Sequence, residues 1–207
     1  AGIKYQGRDD MAMIYSKVPA VAAGTFTRNV VKAAPVKWDQ QVVGESPFVQ
    51  AVVMNAGIAN ACTGQEGMGY CKETADAAGS ALGIPSQAVL VASTGVIGMQ
   101  LPMDRLRAGI GAMVPKLEDT RQAAAAAAQA IMTTDTHKKE AAVTFTVDGK
   151  TVTVGGMSKG SGMIHPNMCT MLAFITTDLA ISHELLPSTI RARNWASVME
   201  CSVNGFC

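Results

Sequence analysis

The segment over residues 143–154 constrains the fold of this chain more than any other. It reads Val-Thr-Phe-Thr-Val, then Asp148-Gly149, then Lys-Thr-Val-Thr-Val. Both arms alternate with the period of a β-strand, and Asp-Gly is a preferred two-residue hairpin turn. The sequence therefore predicts an antiparallel hairpin here, which excludes a sheet built only from parallel strands.

Short apolar runs and helical patterns alternate along the remaining chain. Strands are predicted at 11–16, 50–55 and 88–92, a strand–turn–strand unit within 18–36, and helices at 68–82, 102–113 and 120–132. Residues 187–207 show no sustained periodicity. Together with the hairpin, this order predicts an α/β fold, a mixed sandwich of sheet and helices. A chain of 207 residues corresponds to one domain or most of one.

Composition argues against several classes of partner. The formal net charge is +1, so nothing in the charge favours nucleic acid or an anionic membrane. No apolar run reaches membrane-spanning length, and the first residues do not resemble a signal peptide. The five cysteines are odd in number and none of their spacings fits a zinc site, which favours reduced thiols in a cytoplasmic protein without a bound metal. Cys62 as a nucleophile lacks a recognisable histidine partner.

The loop over residues 159–170 is rich in glycine and leads into an apolar run. Thr170 stands at the junction, directly after Cys169. Glycines permit a close backbone approach, so we interpret Thr170 as a nucleophile and the Cys169–Thr170 bond as a candidate for self-cleavage. The loop is not a Walker phosphate loop, because Gly160 follows Lys159 where that motif needs Ser or Thr.

Several motifs resemble those of one enzyme family. Residues 159–178, Lys-Gly-Ser-Gly-Met-Ile-His-Pro-Asn-Met-Cys-Thr-Met-Leu-Ala-Phe-Ile-Thr-Thr-Asp, are similar to the processing site of the ornithine acetyltransferases, the bifunctional glutamate N-acetyltransferases of arginine biosynthesis. Residues 23–36, 55–64 and 91–98 resemble further motifs of that family. The resemblance covers about residues 1 to 186. Cys169 and Val30 stand where the family usually has Ala and Arg.

The resemblance implies a fold shared with self-processing aminopeptidases, and it implies roles for individual residues. The precursor cuts itself before Thr170, which becomes the N-terminal nucleophile of a β chain and carries an acetyl group from N-acetylornithine to glutamate. Thr94 and Gly95 form the oxyanion hole. The residues alone favour this weakly, since a strand ending in Ser-Thr-Gly offers a hydroxyl and free N–H groups. Thr133, Lys159 and Thr170 contact substrate, with Lys159 holding a carboxylate.

The resemblance also implies an organisation of chains. Residues 1–169 are similar to the family's α chain and 170–207 to the start of a β chain that is normally much longer, so we expect an incomplete domain. The implied partners are the small-molecule substrates and, in the family, a heterotetramer of two α and two β chains. No cofactor is implied, but acetyl-CoA as an additional acetyl donor stays open.

Two other functions remain open from the sequence. The first is an N-terminal-threonine amidohydrolase or aminopeptidase on the same fold, which would pass the acyl group to water. The second is an inactive, uncleaved domain similar to an α chain. His165, five residues before Thr170, is a less favoured base, because the family does not depend on histidine there.

Overall fold

The computed structural model describes residues 1–160, 171–186 and 198–202, the last range by its backbone alone. Within these residues seven strands form one sheet: β1 Met11–Gly24, β2 Val49–Ile58, β3 Val89–Val96, β4 Lys139–Val147, β5 Lys150–Lys159, β6 Leu172–Thr177 and β7 Val198–Ser202. Four α-helices accompany them: α1 Ala34–Glu45, α2 Gly64–Leu82, α3 Met103–Met113 and α4 Arg121–Ala130. Short 3₁₀ turns lie at Ser86–Ala88 and Val114–Lys116.

The strand order is β3-β2-β1-β7-β6-β5-β4. Pairs β2–β3 and β6–β7 are parallel, and the other neighbouring pairs are antiparallel. This confirms the mixed α/β prediction. The β4–β5 hairpin is also confirmed, since Asp148 and Gly149 have φ of +49° and +74° at its turn.

The predicted strand–turn–strand unit over 18–36 is wrong in its second half. Residues 11–24 form the single strand β1, whose pairing with β2 shifts between Tyr15 and Ala20, around Pro19. Proline lacks the N–H for a regular ladder, so such an irregularity accommodates it. Val30 and Val31 are exposed, and the next element is helix α1, with Pro35 in the first turn where its missing N–H costs nothing.

Strand β2 lies in the core with both faces buried. Its even-numbered side chains Val52 and Met54 pack in a cluster with Ala130 and Phe174. Its odd-numbered side chains, with Val53 among them, pack in a second cluster with residues of α2 and α3. Helices on both faces explain why the β2 sequence is a continuous apolar run without alternation.

Helix α1 covers the free edge of the sheet, where β3 is the terminal strand. The Trp38 indole N–H donates to the Val89 carbonyl at 3.1 Å, and Asp39 Oδ1 accepts from the Val91 N–H at 2.9 Å. These side chains satisfy backbone groups that would otherwise lack a strand partner. The opposite edge, β4, is exposed along its whole length.

Candidate active site

The site lies where three parts of the chain converge: the end of β3, the turn between α4 and β4, and the end of β5. Lys159 Nζ donates to Thr133 Oγ1 at 2.6 Å and to Thr94 Oγ1 at 3.3 Å. The structure therefore brings together Thr94, Thr133 and Lys159, three residues that the sequence predicted for one site. We call these three residues the lysine–threonine cluster.

The convergence depends on how the sheet is shaped. Strands β3 and β5 are separated by β2, β1, β7 and β6 in the described sheet. Neighbouring strands lie about 4.8 Å apart, so a flat sheet would hold β3 and β5 roughly 24 Å apart. No lysine side chain spans that distance. The contact between Lys159 and Thr94 therefore requires the sheet to bend back on itself, and β1 offers the place, because its residues up to Ala20 pair with β2 and its residues 21–24 pair with β7, with a register shift between Tyr15 and Ala20.

The Lys159 side chain is only 2% exposed, which is unusual for a lysine. An ammonium has three N–H donors, and within the described residues two of them are used by the threonine hydroxyls. Burial lowers the pKa of Lys159, the Asp135 carboxylate opposes that effect, and the Lys139 charge adds to it. Within the described residues, one N–H donor of the ammonium is thus left for an anionic group, such as a substrate carboxylate.

Thr94 and Gly95 lie at the end of β3, which continues to Val96 beyond the predicted end of the strand. Thr94 is half-buried and Gly95 is exposed, so both can be reached by a ligand. Because Thr94 Oγ1 accepts from Lys159, its hydroxyl hydrogen remains able to donate elsewhere. A hydroxyl donor beside a backbone N–H is an arrangement that stabilises an oxyanion.

Gly95 is also constrained by packing. It pairs with Gly57 across the parallel β2–β3 ladder, and its φ is +137°. A Cβ at this position would lie 2.2 Å from the carbonyl carbon and oxygen of Gly57. Any side chain here would collide with backbone atoms, so glycine is required whatever the chemistry of the site.

No role was assigned to Asp135 from the sequence. The Asp135 side chain is 1% exposed and lies 3.8 Å from Lys159 Nζ. It accepts the Gly160 N–H at 2.8 Å and the Lys139 ammonium at 2.6 Å. Burial by itself would raise the pKa of Asp135, but these hydrogen bonds and the lysine charges hold it below its usual value. The feature of the sequence that could have pointed to Asp135 is its position two residues after Thr133, which the family resemblance assigns to substrate contact.

The segment Asn-Ala-Cys-Thr-Gly at residues 60–64 has a structural role. Asn60 is buried, with φ of +48°, and its amide donates to the Gly67 carbonyl at 2.9 Å and accepts from Thr63 Oγ1 at 2.8 Å. Asn55 similarly donates to the Ile58 carbonyl at 2.8 Å. These residues thus form a turn in which asparagine side chains bond to backbone groups.

A cavity of about 90 Å³ lies next to the end of β3. Ser93, Leu172 and Asp39 are among the residues that line it.

Burial raises the pKa of Asp39 well above its usual value, although the Val91 N–H bond favours the charged form. Burial and the Asp39 charge also raise the pKa of the Cys71 thiol to about 12, against the effect of a bond from Asn60. Asp39 and Cys71 both contact Val91 of β3, Asp39 by a hydrogen bond to its N–H and Cys71 by packing.

Thr170 and Cys169, the predicted nucleophile and cleavage site, lie outside the described residues, as do Gly162 and His165. Their place along the chain is bracketed by described elements. Gly160 ends the segment after β5, and Leu172 begins β6 directly opposite Lys159 in the β5–β6 register.

The part of the chain that the structure describes shows neither a metal-binding cluster nor a membrane-spanning helix. Among the described side chains, no group of three or more His, Cys, Asp or Glu is arranged to hold a metal ion. None of the helices in the described ranges combines the length and apolarity needed to cross a bilayer.

Comparison with known proteins points to one family. The family model described as the ArgJ family matches residues 1–206. The arginine biosynthesis bifunctional protein ArgJ of Thermotoga neapolitana is 48% identical over 185 residues, which are 89% of this chain and 46% of that protein. The chain spans about half the length of the curated relatives it matches.

Two solved structures have the same fold at high sequence identity. The crystal structure of the arginine biosynthesis bifunctional protein argJ from Bacillus halodurans superposes with a TM-score of 0.73 at 44% identity, covering 80% of this chain and 85% of that one. Ornithine acetyltransferase from Mycobacterium tuberculosis, crystallised in complex with ornithine, gives a TM-score of 0.69 at 40% identity, covering 80% of this chain and 86% of that one.

Proposed function

The chain belongs to the ArgJ family, and from that premise we propose that it forms part of an acetyltransferase that moves an acetyl group from N-acetylornithine to glutamate. The observation that carries the proposal is the buried Lys159 ammonium, held 2.6 Å from Thr133 Oγ1 and 3.3 Å from Thr94 Oγ1. Both substrates are amino-acid derivatives with an α-carboxylate. A buried ammonium with a free donor is the group that would bind that carboxylate.

We propose that residues 1–169 form an α chain and residues 170–207 the beginning of a β chain, separated by self-cleavage before Thr170. The Thr170 hydroxyl would attack the Cys169 carbonyl, and the peptide C–N bond would break as the hydroxyl proton passes to the freed Thr170 nitrogen. Water would then hydrolyse the resulting ester and release the Cys169 carboxylate. The new α-amine of Thr170 is a base with an ordinary pKa of about 7.7 to 8.0. A threonine hydroxyl needs such a base to act as a nucleophile.

In the first half-reaction, Thr170 Oγ attacks the acetyl carbonyl of N-acetylornithine. Its proton passes to the α-amine and then to the departing nitrogen as the amide C–N bond breaks. Ornithine leaves, and the acetyl group stays on Thr170 as an ester. The Thr94 hydroxyl and the Gly95 N–H stabilise the negative charge on the tetrahedral oxygen.

In the second half-reaction, the glutamate amine attacks the acetyl ester. The new N–C bond forms as the C–Oγ bond breaks, and the proton from the amine returns to Oγ. Lys159 and Thr133 serve both halves, because each substrate places the same carboxylate next to the reacting nitrogen. One covalent intermediate predicts ping-pong kinetics.

The partners follow from the same proposal. The chain would work in the family's heterotetramer of two α and two β chains, in the cytoplasm, with no cofactor. Acetyl-CoA is a possible second acetyl donor. The residues that complete the substrate pocket in the family belong to the longer β chain, so the 207-residue chain alone should not turn over.

The test uses the full-length protein, N-acetylornithine labelled with ¹³C in its acetyl group, and glutamate. We expect labelled N-acetylglutamate by NMR and, by mass spectrometry, two fragments divided between Cys169 and Thr170. Thr170→Ala should abolish both results. Thr94→Val should slow transfer about 10²–10³-fold, as loss of one oxyanion donor does elsewhere.

Thr134→Val is the matched control, because Thr134 is exposed and makes no contact with Lys159. It should leave transfer unchanged. Labelled acetate as the main product, with glutamate present, would instead support the amidohydrolase alternative. An intact chain without transfer would refute the proposal.

A further inference from the structure

Asp135 is the most buried carboxylate in contact with the lysine–threonine cluster. Its Oδ1 accepts the Gly160 N–H at 2.8 Å and the Lys139 ammonium at 2.6 Å. Its Oδ2 lies 3.8 Å from Lys159 Nζ and 3.5 Å from the Thr133 N–H. One carboxylate thus lies against both Lys159 and Thr133 of the cluster.

The position of Asp135 links two elements that are distant in the sequence. It lies in the turn between α4 and β4, whereas Lys159 and Gly160 lie at the end of β5. The bond to the Gly160 N–H fixes the backbone directly after Lys159, where φ reaches +107°. This bond holds the backbone at the end of β5, next to the Cα from which the Lys159 side chain extends.

A buried ammonium also needs a compensating negative charge. Without one, burial drives a lysine toward its neutral form, which binds a carboxylate poorly. The charged groups that act on Lys159 from the described elements are Asp135 and Lys139, and only the first is negative. Lys139 is 42% exposed and faces Asp135 from the solvent side.

We propose that Asp135 is the positioning residue of Lys159: its carboxylate holds the ammonium in place, charged and aimed at the cluster, for the carboxylate of a substrate. Lys139 is the solvent-facing partner that holds Asp135 in turn. The proposal rests on the proposed function, since the substrate carboxylate comes from there. Asp135 itself does not touch substrate.

The alternative is that Asp135 only ties down the turn through Gly160. Asp135→Asn separates the two roles, because the amide oxygen can still accept the Gly160 N–H while the charge is lost. Lys139→Gln removes the positive neighbour instead. Lys138→Gln is the matched control, because Lys138 pairs with Glu140 at 2.8 Å and not with Asp135.

The first experiment measures the pKa of the Lys159 ammonium by NMR in the full-length protein labelled with ¹³C and ¹⁵N lysine, and it needs no activity. Asp135→Asn should lower the pKa of Lys159, Lys139→Gln should raise it, and Lys138→Gln should leave it unchanged. An unchanged pKa in Asp135→Asn would overturn the proposal.

A second variant covers the case in which Asp135→Asn does not fold. Lys159→Met removes the same interaction from its other partner, so the pKa of the Asp135 carboxyl, followed by ¹³C NMR, should rise. If the Asp135 pKa stays unchanged in a folded Lys159→Met chain, the two groups are not coupled and the proposal is wrong.

The second experiment measures kinetics in the full-length protein. Asp135→Asn should raise the KM for N-acetylornithine about tenfold, equivalent to about 1.4 kcal/mol, with a smaller change in kcat. The alkaline limb of kcat/KM should move to lower pH, because Lys159 must stay protonated to bind the carboxylate. Asp135→Glu, which restores the charge, should recover part of the loss.

The two proposals fail in different ways. If the wild type transfers no acetyl group, the proposed function is wrong, while the NMR measurement still decides whether Asp135 acts on Lys159. If the wild type is active and Asp135→Asn has an unchanged KM and pH profile, the positioning role is refuted and the proposed function stands.

Discussion

Replacing Gly95 with alanine tests whether the geometry of the proposed oxyanion hole is set by packing between β2 and β3. The added Cβ would lie 2.2 Å from Gly57 C and O and 2.6 Å from the Ile58 nitrogen. All three are backbone atoms in a paired strand, so no side-chain rotation relieves the collision. The φ of +137° is a second cost, because L-residues with a side chain rarely adopt it.

The magnitude follows from two terms. Overpacking in a well-packed region costs about 1–3 kcal/mol, and a non-glycine residue in a sparsely populated backbone region about 1–3 kcal/mol more. The sum, roughly 2–6 kcal/mol, is a large part of the 5–15 kcal/mol that stabilises a typical domain. At about 2–4 °C per kcal/mol for a chain of this size, we expect Tm to fall by roughly 4–24 °C.

Gly98→Ala is the matched control, because Gly98 has φ of +76° but no atom within 4 Å of a built Cβ. It carries the backbone strain without the collision, so it should cost only about 1 kcal/mol. The assay is thermal and urea unfolding of both variants beside the wild type. Equal destabilisation of Gly95→Ala and Gly98→Ala would refute the packing argument and leave Gly95 with a purely chemical role.

Two further perturbations address the cluster and the sheet edge. Thr133→Val should raise the KM for N-acetylornithine of the full-length protein about tenfold, because Lys159 loses a charged hydrogen bond of about 1.5–3 kcal/mol. Thr134→Val, at an exposed position and assayed in parallel, should leave this KM unchanged. Burial raises the pKa of the Asp39 carboxyl in the folded state, so the folded chain holds this proton to higher pH than the unfolded chain, where the pKa is about 3.9. The contribution of Asp39 to stability therefore falls as pH rises above about 4. The Asp39→Asn variant can still accept the Val91 N–H and has no carboxyl to titrate at this position. Its stability relative to the wild type should therefore be greater at pH 7 than at pH 4, as measured by a series of thermal unfolding curves. The same stability difference from the wild type at both pH values would contradict this.

Local interactions made several elements predictable. The Asp148-Gly149 turn, and the end of α2 at Gly83 with φ of +71°, depend on backbone preferences of the residues themselves. The Ser-Thr-Gly run that follows the apolar residues of β3 pointed to Thr94 and Gly95, because a hydroxyl beside backbone N–H groups suits an oxyanion. The strand itself continues to Val96. For the site, the motifs then gave the identities of Thr133 and Lys159 through family resemblance.

Elements whose formation depends on distant partners were predicted poorly. Residues 30–36 look like a strand because valines favour strands, but Val30 and Val31 have nothing to pack against, and Pro35 begins a helix that covers the edge of β3. Strand β7 has no periodicity of its own in the sequence. Its backbone nevertheless pairs between β1 and β6, since hydrogen bonding to strands on both sides does not depend on side-chain pattern.

The contact of Asp135 with Lys159 was decided by the tertiary structure alone. The two residues lie 24 positions apart in the chain, on opposite sides of the β4–β5 hairpin. The sequence singled out Thr94, Gly95, Thr133 and Lys159 through their motifs, because hydroxyl, backbone N–H and ammonium groups are donors in any setting. The tertiary structure buries the Lys159 side chain and places Asp135, in the α4–β4 turn, 3.8 Å from its ammonium. Burial makes the lysine charge costly, and this proximity supplies its counterion.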